Sequence, residues 1–152
     1  MPVHSYIGDL FAEEAPESLE QYGLAAFLMK VQGSDRTLVD KVFAICDYYM
    51  NGNVKGHSRH IYDIYKLLPL TVQDESFRTL VKKVRAVRAK TKVCPSAMPG
   101  INVTKLLSEI VIKDIYKEDY NVLTSKLLEE KISYEDALTS VKSIADSRIF
   151  DE

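Results

Sequence analysis

From residue 33 onward, apolar residues recur at helical spacing, and the polar breaks between them predict where each helix starts and stops. Ser34 or Asp35 is placed to cap a helix whose inward stripe reads Leu38, Val42, Ile45, Cys46 and Tyr49, until Asn51-Gly52 ends the run. At about 3.6 residues per turn, Lys41 falls about 100° from the middle of that stripe, at the edge of the buried face. A second helix begins near Ser58, buries Ile61, Ile64, Tyr65 and Leu68, and ends at Pro69, which cannot donate to the helical ladder. Its other face carries Arg59, Asp63 and Lys66. Thr71 with Asp74 reads as a capping box for a third helix, with Phe77, Leu80, Val81, Val84 and Val87 inward and the basic residues largely outward. Cys94 to Gly100 breaks that helix. Asn102 caps a periodic region from Val103 to Leu128, read as two helices meeting near Lys113-Asp114, and Ser133 caps a last helix to about Ala145. The first 32 residues read as irregular, punctuated by Gly8, Pro16 and Gly23, with Leu24 to Met29 as either a short strand or a buried turn. The sum is a mainly α protein: an irregular segment over 1–32, then a helical domain over 33–148 built as a bundle of about five to six helices, with room for a short N-terminal β element.

A chain of 152 residues is long enough to bury a real core without a disulfide staple. Cys46 and Cys94 form neither a CxxC pair nor a Cys/His cluster, which argues against structural zinc and fits a reducing compartment. The first ten residues contain no Lys or Arg and no long apolar run, and no stretch of 18 apolar residues occurs anywhere, so the expectation is a cytoplasmic protein that does not enter a membrane. Net charge is −2 but unevenly placed. Residues 1–23 hold five acids and no Lys or Arg, whereas Lys82 to Lys92 holds six basic residues and no acid. Lys82, Lys83, Arg85 and Arg88 are therefore candidates for contact with RNA, weighed against the ordinary alternative of a solvated helix face.

Gly33-Ser34 imitates the Gly-Ser turn of polymerase-β-like nucleotidyltransferases, in which an Asp-x-Asp or Glu-x-Asp pair follows some ten residues later and holds Mg2+ against a triphosphate. No Asp-x-Asp or Glu-x-Asp occurs in this sequence, so Gly33-Ser34 reads as a helix start. His57, His60 and Asp63 stand at i, i+3 and i+6, but the third member rotates a further 60° from the first pair, and no metal site is expected there. Arg59 and Asp63 read as an i, i+4 ion pair.

The run Arg36-Thr37-Leu38-Val39-Asp40-Lys41, followed by Ser58-Arg59-His60-Ile61-Tyr62-Asp63-Ile64-Tyr65-Lys66-Leu67, resembles the third and fourth motifs of the AbiEii/AbiGii abortive-infection nucleotidyltransferase toxins of type IV toxin–antitoxin systems. The likeness extends more loosely through residues 2–7, Cys94 to Gly100, Asp119-Tyr120 and Lys126 to Leu128. It implies that Lys41 is the lysine facing nucleotide phosphates and Asp63 the aspartate supporting the same pocket, with Arg59 and His60 orienting that face on the substrate side. It also implies Mg2+ and a nucleoside triphosphate as cofactor and substrate of the complete enzyme. The family's first two motifs have no counterpart here, so the chain is expected to be a carboxy-terminal half that is inactive alone and binds neither group by itself. Its partners would be the missing Gly-Ser/Asp-x-Asp half or a separate polypeptide, an RNA acceptor, and an antitoxin acting indirectly. The alternative is a stand-alone helical module that binds RNA or protein without catalysis. The short Asn51 to His57 connection favours antiparallel packing, which would turn Lys41 and Asp63 to one surface.

Overall fold

The computed structural model describes residues 2–151, which fall into two compact units divided after Gln32. In the first, β1 (Pro2–Val3) pairs antiparallel with β2 (Phe27–Leu28), Pro2 opposite Leu28, and between them lie α1 (Tyr6–Glu14) and α2 (Ser18–Gln21). This corrects the expectation of an irregular segment. Ser5 Oγ accepts from the Gly8 amide at 2.9 Å and caps α1, a signal diluted in the sequence by Gly8 one turn later. Gly8 is required there, since a Cβ would stand 2.8 Å from the Leu24 carbonyl oxygen. The strand lies within the Leu24 to Met29 run, so the strand alternative is the one realised.

The second unit is helical: α3 (Ser34–Met50), α4 (Arg59–Leu67), α5 (Glu75–Arg88), α6 (Val103–Ile112), α7 (Lys117–Asp119), a π-helical turn (Tyr120–Thr124), α8 (Ser125–Leu127) and α9 (Tyr134–Ser147). Helix α3 is the centre, packing against α4, α5 and α6, while α9 covers α4 and α6. Its Leu38, Val39, Val42, Phe43, Ile45 and Cys46 are fully buried together with Ile61, Ile64, Val84, Leu107 and Ile110. Phe150 closes the core, standing edge-on to Phe43 and Phe77 at centroid distances of 5.7 and 6.5 Å.

Local chemistry differs from expectation at three helix ends. Gly33, rather than Ser34 or Asp35, caps α3, and Thr37 Oγ1 donates to its carbonyl at 2.9 Å. Asp74 is itself the cap of α5, accepting from the Phe77 amide at 2.9 Å, while Thr71 donates back to Leu67 O. Pro69 ends the α-helical ladder of α4, but the chain continues through a tight 3-10 turn, Leu68–Leu70, that needs no amide from it. Asn102 and Ser133 cap α6 and α9 as expected. Among the described residues, no helix is long and apolar enough to cross a membrane.

Candidate functional site

Lys41 leaves the rim of the buried stripe of α3 and meets Asp63 of α4, with Nζ 2.7 Å from Oδ2. His60, one turn before Asp63, places Nδ1 3.3 Å from Lys41 Nζ and 3.4 Å from Asp63 Oδ2. Nδ1 accepts from the ammonium in one tautomer and donates to the carboxylate in the other. The three groups thus form a compact ammonium–carboxylate–imidazole cluster, half-buried at Lys41 and Asp63 and buried at His60. Burial alone would raise the Asp63 pKa, but hydrogen bonds from His60 and Lys41, reinforced by the Lys41 charge, outweigh it and hold the carboxyl below its ordinary range.

The residues around this cluster fix α4 in place. Ser58 is buried, and its hydroxyl shares a 2.7 Å hydrogen bond with Thr124 in the π-helical turn instead of capping its own helix. Capping falls to Asp119, whose carboxylate accepts from the Gly56 and Ser58 amides at 2.7 and 3.1 Å. Burial works to raise the Asp119 pKa and these backbone donors lower it further than burial raises it, as suits a carboxylate at a helix N-terminus. His57 lies flat on Tyr48 of α3, with centroids 3.5 Å apart and planes 9° from parallel. Burial, with repulsion from His60 and Arg59, lowers the His57 pKa and favours its neutral form.

The opposite flank of α3 holds an ion-pair network that sequence reasoning missed. Asp47, only 5% exposed, accepts from the Ser96 amide at 2.8 Å and the Ser96 hydroxyl at 2.6 Å through Oδ1, and from Arg88 Nη2 at 2.7 Å through Oδ2. Arg88 also reaches Asp40 at 3.2 Å, and Arg36 meets the other oxygen of Asp40 at 3.2 Å. Burial would lower the Arg88 pKa, but the Asp47 partner raises it overall. An acid set among Phe43, Ile45 and Cys46 was the available sequence signal, because a carboxylate on a buried stripe demands a partner.

The predicted site residues therefore divide. Lys41, Asp63 and His60 come together. Arg59 is exposed at the start of α4, and Asp63 pairs with Lys41 and His60 rather than with Arg59 as expected, because α3 offers a closer cation. On α5, Lys82 and Lys83 are exposed. Arg85 and Arg88 do not face outward: Arg85 donates to the carbonyls of Ala97, Met98 and Ile101, and Arg88 closes the Asp47 network. Among the described residues, no group of three His, Cys, Asp or Glu side chains could hold a metal ion; His57 is engaged by Tyr48 and Asp63 by Lys41.

The second unit is thus a helical domain that brings one lysine and one aspartate from consecutive helices into contact at 2.7 Å. The family model of the nucleotidyl transferase AbiEii toxin, type IV toxin–antitoxin system, matches residues 2–140, and the chain belongs to that family. A toxin of this kind has an antitoxin as its counterpart. A search of curated proteins finds no match, and neither does a search of solved structures.

Proposed function

We propose that this chain supplies the phosphate-facing part of a nucleotidyl-transfer site, with Lys41 neutralising charge on a nucleoside triphosphate and the paired metal-binding carboxylates contributed by other polypeptide. The observation that carries the reading is the 2.7 Å contact between Lys41 and Asp63, two motif residues 22 positions apart that two separate helices bring to one point. An ammonium held by a carboxylate keeps its direction when a polyanion arrives, and such preorganised charge is what phosphoryl and nucleotidyl transfer need. His60 restrains Asp63 from the same side, and exposed Arg59 is free to meet substrate at the cluster's edge. The residues of this chain do not fit a catalytic Mg2+: the sequence has no Asp-x-Asp, and Asp63 is already paired. The metal therefore belongs to the part of the site made elsewhere.

The test combines this protein with a polypeptide carrying a Gly-Ser/Asp-x-Asp half, labelled nucleoside triphosphates, Mg2+ and bulk RNA. Labelled product that needs both polypeptides and disappears in Lys41→Ala and Asp63→Ala is expected. Transfer that survives Lys41→Ala overturns the assignment. The alternative of a basic RNA-binding module is less supported, because Arg85 and Arg88 are committed to internal contacts.

A further inference from the structure

One face of α3 is only partly covered by its neighbours. Lys41, Ala44, Tyr48 and Asn51 follow one another at spacings of three, four and three residues, which is a single helical face. Ala44, Tyr48 and Asn51 of this face line a cavity of about 350 Å³, within the range of roughly 300–1,000 Å³ typical of small-molecule sites, which begins one turn beyond Lys41. It is lined by Ala44, Asp47, Tyr48 and Asn51 of α3 together with Asn53, Arg88 and Cys94, the Asp47 carboxylate being already held by Arg88 and Ser96.

We infer that this cavity is the nucleobase-and-ribose pocket of the site, so that the nucleotide lies along α3 with its phosphates toward Lys41 and its base between Tyr48 and Cys94. The inference rests on the reading of Lys41 as a phosphate-facing cation. Four features support it. Lys41 and Tyr48 are seven residues apart, a rise of about 10.5 Å, which suits the length of a nucleotide from base to outer phosphates. Tyr48 is a fixed aromatic wall, since His57 covers its ring at 3.5 Å. The amides of Asn51 and Asn53 each offer a donor and an acceptor, the complement of a base edge and a poor match for a purely anionic or apolar ligand. Ala44 is small enough to let a planar group approach the helix, and the volume excludes a folded macromolecule.

The same cavity provides its own reporter. Cys94 is half-buried at its wall, whereas Cys46 is fully buried and its thiol pKa is pushed far up by burial, so a thiol reagent reads Cys94 selectively. With the full chain, the rate of Cys94 modification is followed in the presence of each of the four ribonucleosides and, separately, of inorganic tripolyphosphate. Tripolyphosphate binding is measured by calorimetry. One nucleoside is expected to slow modification about fivefold when present at about four times its dissociation constant, with weaker effects from the others. Ala44→Met, which fills part of the cavity, removes the protection. Asn51→Ala and Asn53→Ala level the four nucleosides to within about twofold while leaving tripolyphosphate binding unchanged. Cys94 modification unaffected by every nucleoside, or protection that survives Ala44→Met, overturns the pocket. If nucleosides protect but tripolyphosphate binding does not depend on Lys41, the base pocket stands and the phosphate reading falls. If tripolyphosphate needs Lys41 and no nucleoside protects, the reverse holds.

Discussion

Lys41 and Asp63 hold each other in a contact that only one protonation state supports. The Asp63 carboxyl titrates below its ordinary value of 3.8, so the ion pair contributes stability above that pH and loses it as pH falls through the lowered value. Carboxyl NMR should show Asp63 as a low-pKa residue, and Lys41→Ala should raise its midpoint, because a half-buried carboxylate then keeps the cost of burial without the cation. An unchanged midpoint would mean that His60 alone sustains it. The Asp47–Arg88 pair presents the buried version of this chemistry. Arg88→Ala leaves Asp47 charged and buried with only Ser96, and should cost about 3–5 kcal/mol in denaturant unfolding. Replacing both residues by apolar ones should recover much of that loss, and a double-mutant cycle separates the pair's coupling from the penalty of the orphaned charge.

At the scale of elements, the seam between α3 and α4 is sensitive to acid in two stages. The His57 pKa is lowered from 6.5, so the unfolded chain binds this proton first and stability falls as pH drops below that value. The Asp63 contribution is lost only further down. His57→Phe, which keeps a ring against Tyr48 and cannot be protonated, should remove the upper stage of the thermal-denaturation pH profile and leave the lower one. Removing the long-range cap by Asp119→Ala should cost about 1–2 kcal/mol and loosen hydrogen exchange at Gly56 and Ser58, whose amides lose their acceptor. These element-level facts divide by what a sequence can display. Helices α3 and α4 were legible because Leu38, Val42, Ile45 and Ile61, Ile64 keep one period, and Asn102 and Ser133 announce their helices locally. Asp119 was not legible as the cap of α4, since it reaches back 63 residues to Gly56 and no periodicity records such a pairing. Helix α1 went unread because its cap and its interior glycine point in opposite directions. The Lys41–Asp63 meeting was anticipated from the short α3–α4 connection and the family motifs, whereas the Tyr48–His57 stack depends on ring geometry that residue types alone do not fix.

For the molecule as a whole, the buried cluster runs from Leu38 to Phe150 and draws on the second unit. A protein consisting of residues 33–152 should therefore keep its helical circular dichroism and a cooperative thermal transition; loss of cooperativity would show that the first 32 residues are required. The full chain alone, given labelled nucleoside triphosphates with Mg2+ or Mn2+ and RNA, should yield no labelled product, and robust labelling would show that the necessary carboxylates lie within these residues after all. The place of Phe150 bears on how such a protein is born. Because its ring stands edge-on to both Phe43 and Phe77, that corner of the core lacks its packing partner while residue 150 is still inside the ribosome, even though both of its partners emerged long before. The clusters built by α3 and α4 can gather early, but this part of the core completes itself only once Phe150 is available. Nascent chains arrested before residue 150 should therefore be more open to protease than chains that include it.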